Sequence, residues 1–116
     1  MYVMFCTLKC DAGRISWEEE RDRVASRALA EAIRSSLRKG DFYTRYSYTQ
    51  YLIMFSEMQL ENCKIVSDRI RNNFEKRSPK EYSIDFHVTS ISDIGMDEDA
   101  PEKYFSNSGN VWKKSE

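Results

Sequence analysis

The chain of 116 residues lacks the marks of a disulfide-linked, membrane-spanning or exported protein. Its cysteines, Cys6, Cys10 and Cys63, are odd in number and form no Cys-x-x-Cys pair, which argues against a disulfide framework. No apolar run approaches the roughly 18 residues that a membrane span requires. The first residues, Met1–Cys6, carry neither the basic region nor the cleavage site of a signal peptide. We therefore expect a reduced, soluble, cytoplasmic protein.

An excess of charge of one sign is also absent, because 18 Lys and Arg residues face 19 Asp and Glu residues. A net charge of -1 argues against a surface that neutralises many phosphates, so general nucleic-acid affinity is not expected. What is present is a 41% hydrophobic and 13% aromatic composition, enough for one compact core. We expect a domain over residues 1–92 and a mostly irregular tail over 93–116, where acidic residues and Pro101 interrupt the pattern.

The first half of the chain predicts a strand followed by a long helix. Residues 2–8 are almost continuously apolar, which is typical of a strand buried on both faces. Ser16 and Glu19 have the spacing of a capping box and predict the start of an amphipathic helix of about 22 residues. Residues 38–40, Arg-Lys-Gly, then supply a cationic last turn and a left-handed stop.

The second half predicts a hairpin, a second helix and a final strand. Residues 42–46 and 50–56 are rich in β-branched and aromatic side chains around a short polar turn. Ser56 and Gln59 repeat the capping-box spacing, and the helix they open is expected to stop before Pro79. Apolar and polar residues alternate over 82–91. The order βαββαβ indicates an α+β, ferredoxin-like fold, in which an antiparallel sheet carries two helices on one face.

The segment RKGDFYTRYSYTQYLIMF, residues 38–55, resembles the central hairpin of GGDEF domains, the bacterial diguanylate cyclases. In that family an RxxD motif precedes Gly-Gly-Asp/Glu-Glu-Phe by five residues. Here the hairpin has lost both glycines and both acidic residues and reads Ser47, Tyr48, Thr49, Gln50 and Tyr51. The resemblance implies the palm-like nucleotide cyclase fold in a degenerate form.

The same resemblance implies that the cyclase reaction is lost. Family carboxylates on the hairpin and on the first strand hold two divalent cations, and two-metal phosphoryl transfer requires such oxygen ligands. The hairpin positions are Thr49 and Gln50 here, and the strand motif corresponds to residues 7–9, Thr-Leu-Lys. Residues 10–16 also lack the Phe-Lys and Asn-Asp pairs that bind the purine in the family. The bulky side chain of Tyr48 would obstruct a nucleotide. We expect no catalytic residues, no metal and no cofactor.

One family motif is complete, since residues 38–41 match the RxxD that binds cyclic di-GMP in many cyclases. The resemblance implies that Arg38 pairs with phosphate or stacks on guanine, while Asp41 accepts hydrogen bonds from the guanine edge. A structural reading competes with it, because Arg38 suits a helix end, Gly40 a helix stop and Asp41 a turn.

A narrower resemblance concerns the hairpin sequence RYS-x-x-Q-Y, formed by residues 45–47 with Gln50 and Tyr51. It is similar to cyclase-like domains that follow transcriptional activator regions in some bacterial regulators. This implies a noncatalytic domain for signal transduction and transcription regulation, with other regulator domains or a homodimer partner as its contacts. Any DNA-binding part would then lie outside residues 2–91.

Two other functions share the βαββαβ order. One is an RNA-binding module, in which strand tyrosines such as Tyr43, Tyr46, Tyr48 and Tyr51 would stack on bases. The K/R-G-F/Y-G/A-F-V-x-F/Y pattern of such modules is missing from residues 50–55. The other is an active phosphotransferase, for which the metal ligands are missing. His87, Cys6 and Cys63 have no identifiable catalytic partner and are expected to be structural.

Overall fold

A computed structural model of the chain describes residues 2–47, 49–55, 60–90 and 113–114. The elements, in chain order, are β1 (Tyr2–Cys10), α1 (Glu20–Ser36), β2 (Phe42–Ser47), β3 (Gln50–Met54), α2 (Leu60–Glu75), β4 (Tyr82–Ser90) and β5 (Lys113–Lys114). The predicted order βαββαβ and the α+β class are confirmed. The second capping box, Tyr48 and most of the predicted tail lie outside the described residues.

The described strands form one sheet in the order β4-β1-β3-β2-β5. Strand β1 pairs antiparallel with β4 over its whole length, from Tyr2 opposite Ser90 to Cys10 opposite Tyr82. Its other edge pairs antiparallel with β3, which continues to β2 and then to the short β5. The strand that precedes α1 therefore lies between the hairpin and the strand that follows α2.

Residues 2–8 of β1 are buried or half-buried throughout, as their continuous apolar character predicts. Alternate residues Met4, Cys6 and Leu8 face the helices, because a strand turns successive side chains to opposite faces. They pack with the apolar faces of both helices, whose most deeply buried members include Leu29, Ile33, Ile70 and Phe74. This layer of two helices on one face of the sheet is the ferredoxin-like arrangement.

The start of α1 differs from its prediction. The helix begins at Glu20, its N-cap is Glu19, and no side chain caps it. The predicted cap, Ser16, instead donates its backbone N–H to Asp22 Oδ2 at 2.7 Å, and its Oγ accepts from the Glu18 N–H. The helix is 17 residues long rather than about 22, because these bonds hold the chain before Glu20 in a separate turn.

The end of α1 also differs. Ser36 is the last helical residue, and Leu37 is extended with φ -78° and ψ 152°. The predicted cationic last turn, Arg38 and Lys39, therefore lies beyond the helix in the loop to β2. Gly40 does have the left-handed φ of 96° expected of it, but it serves that loop rather than the helix end.

The remaining elements follow their patterns. Helix α2 ends at Glu75, before Pro79 as predicted. Cys6 and Cys63 are buried, and burial raises the pKa of both thiols. His87 is exposed on the face of the sheet opposite to α1 and α2, with its ring 6.1 Å from that of Phe5. In the described part of the chain, neither helix has the length and apolar character of a membrane span.

Two isoleucines on α2 provide a test of this packing. Ile70 is fully buried, whereas Ile65 on the same helix is 56% exposed. We predict that Ile70→Ala lowers the free energy of unfolding by about 2–4 kcal/mol, because it leaves a cavity between helix and sheet. The matched change Ile65→Ala should alter it by less than about 0.5 kcal/mol. Urea denaturation followed by circular dichroism measures both, and equal losses would contradict the packing described.

Candidate functional site

The β2–β3 hairpin is attached to the end of β1. The Leu8 N–H donates to the Thr49 carbonyl at 2.7 Å, next to the last β1–β3 register pair, Thr7 opposite Gln50. A register shift between Arg45 and Ser47 marks an irregularity just before the turn. From Phe42 to Arg45 the pairing of β2 with β3 is regular.

A cleft of about 380 Å³ opens beside this junction. The end of β1, the loop that follows it and the hairpin contribute its lining residues, which are Leu8, Lys9, Cys10, Gly13, Ile15, Ser47 and Thr49. The loop turns back on β1 because the Gly13 N–H donates to the Cys10 carbonyl at 2.9 Å, with Gly13 at a φ of 101°. We call this space the hairpin cleft.

Beside the cleft, the Gln50 amide donates through Nε2 to the Thr7 Oγ1 at 3.1 Å. These two residues are the ones that the resemblance matches to acidic positions on the hairpin and on the first strand. The structure brings them together as a neutral amide and hydroxyl pair. Neither group has the negative charge with which a carboxylate attracts Mg²⁺.

The polar groups of the cleft itself are hydroxyls and a cation. Ser47 Oγ and Thr49 Oγ1 lie 3.1 Å apart, and Lys9 Nζ lies 3.7 Å from the Asp85 carboxylate on β4. Among the described residues that line the cleft, none carries a carboxylate. Within the described ranges there is also no group of three or more His, Cys, Asp or Glu side chains arranged to hold a metal ion.

The loop from β1 to α1 is anchored by a buried polar pair. The Tyr82 hydroxyl donates to Asp22 Oδ1, and the Ser16 N–H donates to Asp22 Oδ2. These two hydrogen bonds hold the pKa of Asp22 below its ordinary value of 3.8. Burial and the bond to Asp22 raise the pKa of Tyr82 to about 12. The cleft therefore has one wall fixed by a charged hydrogen bond between α1 and β4.

The RxxD residues form a tight turn at the other end of β2. The Asp41 N–H donates to the Arg38 carbonyl at 3.1 Å, and Asp41 Oδ2 accepts from the Arg38 N–H at 3.0 Å. Asp41 is 1% exposed, while the Arg38 side chain is exposed. The Asp41 carboxylate stabilises the turn, as the structural reading expects, and leaves Arg38 as the accessible member of the motif.

The predicted site residues fall into three places. Ser47, Thr49 and Gln50 meet the end of β1, whereas Arg38 and Asp41 lie at the far end of β2, about 17 Å away for five strand residues. Tyr51 belongs to neither place, since its ring is buried in the core on the helix side of the sheet.

Sequence reasoning missed two contacts near the site. The Arg45 guanidinium lies 5.3 Å from the centre of the Trp17 ring, and Asp22 bonds to Tyr82. Both contacts join residues far apart in the chain, and no local spacing could have revealed them. The exposed tryptophan in an otherwise polar loop was the one available signal.

The fold is similar to that of a diguanylate cyclase. The chain superposes on the crystal structure of diguanylate cyclase SiaD in complex with its activator SiaC from Pseudomonas aeruginosa, with a TM-score of 0.61. The sequence identity is 18%, and the match covers 94% of this chain and 47% of that one. This chain thus spans about half the length of the cyclase it matches. No protein-family model and no curated protein sequence matches it.

The Asp22–Tyr82 pair predicts a pH-dependent stability. Because the pKa of Asp22 is lowered in the folded protein, the ionised Asp22 carboxylate contributes to folding stability above pH 3.8. This contribution is lost as the pH falls further. We expect Tyr82→Phe to lower the free energy of unfolding by about 1–2 kcal/mol at pH 7, and by less at pH 3. Chemical denaturation across this range measures the difference.

Tyr2→Phe is the control for the loss of a phenolic hydroxyl. Tyr2 is half-buried, and its hydroxyl makes no hydrogen bond within the described residues. This variant should therefore follow the wild-type pH profile. A Tyr82→Phe effect that did not change between pH 7 and pH 3 would disagree with the charged pair.

Proposed function

We propose that this chain is a noncatalytic regulatory domain of diguanylate-cyclase-like fold within a bacterial signalling or transcription regulator. It acts through contacts with other protein domains or with a second copy of itself. The fold, with its likeness to a cyclase, supports the cyclase-like part of this proposal. The polar chemistry beside the hairpin supports the noncatalytic part.

The Gln50–Thr7 hydrogen bond is the observation that carries the proposal. Two-metal phosphoryl transfer needs anionic oxygens to neutralise cations that bridge the phosphates. The Gln50 amide and the Thr7 hydroxyl are hydrogen-bonded to each other. They offer neither the negative charge nor the number of oxygen ligands that two divalent cations require. Lys9 at the same strand end adds a positive charge, which further opposes the binding of a divalent cation.

Protein contact is the mode of action that the surface favours. Trp17 and Tyr46 are 50% and 60% exposed. Arg45 directly precedes Tyr46 on β2, and its guanidinium group stacks on the Trp17 ring. Trp, Tyr and Arg are the residue types that contribute most to protein interfaces. The cyclase of similar fold is bound to an activator protein, which is consistent with a partner-binding role for such domains.

An RNA-binding role is not favoured by the strand register. RNA-recognition domains display stacking aromatics on the inner strands of the open sheet face. On that face β3 presents Gln50, Leu52 and Met54, and Met54 is 1% exposed. Tyr51 and Tyr43 face the helices instead. The inner strand β3 therefore offers no aromatic side chain for a base to stack on, and the other inner strand, β1, presents Phe5, half-buried with its ring 6.1 Å from that of His87.

The noncatalytic assignment predicts no turnover of GTP. The purified domain, incubated with GTP and Mg²⁺ or Mn²⁺, should yield no cyclic di-GMP and no linear intermediate, because the cations have no anionic ligands. Liquid chromatography with mass spectrometry detects both products, and an active diguanylate cyclase assayed in parallel is the control. Product formation above the protein-free background would refute the assignment.

Cyclic di-GMP binding by the retained RxxD motif is a separate prediction. If the motif binds this ligand, Arg38→Ala should weaken binding at least tenfold, because Arg38 is the exposed cation that meets the phosphate or guanine, at a loss of about 1.4 kcal/mol. Isothermal titration calorimetry measures the affinity.

Lys39→Ala is the matched control for cyclic di-GMP binding, since Lys39 is an exposed cation in the same turn and occupies a variable position of the RxxD motif. Equal weakening by Arg38→Ala and Lys39→Ala would mean that charge alone attracts the ligand. Binding that survives Arg38→Ala unchanged would exclude the motif as the site.

A further inference from the structure

A second pocket lies on the helix side of the sheet, away from the hairpin cleft. It has a volume of about 290 Å³ and lies between α1 and the β2–β3 pair. Its lining residues are Ala30, Arg34, Tyr43, Thr44, Arg45 and Tyr51. We call it the arginine pocket, because its two charged lining residues are Arg34 and Arg45.

A buried hydroxyl opens into this pocket. Tyr51 is 7% exposed and lines the pocket, and its hydroxyl makes no hydrogen bond within the described residues. No fully enclosed polar side-chain atom in those residues lacks a partner. The Tyr51 oxygen must therefore reach open space, and the pocket is the space that this side chain lines. A buried phenol without a partner is a hydrogen-bond donor available to a ligand.

Both arginines affect the pKa of that hydroxyl. Burial raises the pKa of Tyr51, while the positive charges of Arg45 and Arg34 act in the opposite direction. The phenol therefore stays protonated at neutral pH and lies within electrostatic reach of both guanidinium groups. Two guanidinium cations and a neutral hydroxyl donor around one small pocket can together bind the oxygens of an anion.

The two guanidinium groups are held differently. Arg45 stacks on Trp17, and its Nη2 and Nε donate to Ser26 Oγ and the Ser47 carbonyl, both at 3.4 Å. Arg34 forms an ion pair with Glu31, one turn earlier on α1. The stacked arginine is preoriented, whereas the other is shared with an exposed carboxylate that a stronger anion would replace.

We propose that the arginine pocket binds a single oxyanion group, a phosphate or a carboxylate, between Arg34, Arg45 and the Tyr51 hydroxyl. Its volume of about 290 Å³ lies just below the roughly 300–1,000 Å³ of small-molecule sites, which suits one phosphate or carboxylate group better than a dinucleotide. The site is distinct from the hairpin cleft and from the RxxD turn, with which it shares no residue.

The test is a titration of the full chain with inorganic phosphate at constant ionic strength, followed by ¹H–¹⁵N NMR, including the arginine Nε–H signals. We expect saturable shifts at Arg34, Arg45 and Tyr51. Acetate, titrated in the same way, distinguishes the two sources, since the tighter ligand identifies phosphate or carboxylate chemistry. Shifts that chloride reproduces in full would overturn the proposal.

Four variants identify the site. Tyr51→Phe and Arg34→Gln should each weaken phosphate binding by about tenfold, and Tyr51→Phe keeps the ring that the core requires. Glu31→Gln should strengthen it by about threefold, because it releases Arg34 from its ion pair, and an unfolded variant cannot produce such a gain. Arg27→Gln, an exposed cation two turns away on α1, should change nothing. Equal losses in Arg27→Gln and Arg34→Gln would show diffuse attraction and overturn the proposal.

Discussion

Hydrogen bonding of β1 along both edges is the constraint on which the rest of the structure depends. Its nine residues pair with β4 over their whole length and with β3 over residues 3–7. These pairings fix which alternate residues face the helices and which face the open side. They also place Thr7, Lys9 and Cys10 at one end of the sheet, next to the hairpin. The core and the cleft thus share one register, and a slip of one residue would exchange the two faces.

The core of this fold does not depend on the polar groups beside the hairpin. The core is built from apolar side chains of β1, β3, β4 and both helices. Gln50 and Thr7 lie opposite each other on β3 and β1 and join the two strands by a neutral hydrogen bond. The pairing of β2 with β3 shifts register between Arg45 and Ser47, just before the turn. The fold is therefore evidence of architecture, and a reaction must be judged from the groups at the site.

Strand β2 links three polar places that differ in charge and burial. At its start, the Asp41 carboxylate is committed to the Arg38 turn. At its end, the hydroxyls of Ser47 and Thr49 line the hairpin cleft. Between them, Arg45 stacks on Trp17 and lines the arginine pocket together with Tyr51. The proposed protein-contact surface and the proposed anion pocket share Arg45, so an anion and a protein partner would meet at the same residue.

The sequence by itself determined the order βαββαβ, the buried character of β1, the stop of α2 before Pro79 and the absence of acidic side chains from residues 47–51. Each of these follows from local periodicity or from residue identity. Only the tertiary structure decided that Ser16 bonds to Asp22 instead of capping α1, that Gln50 meets Thr7, and that Tyr51 lies beside Arg34. These contacts form between side chains of different strands, helices and loops that the folded backbone brings together. The spacing of residues within one element does not reveal which residues of another element they will contact.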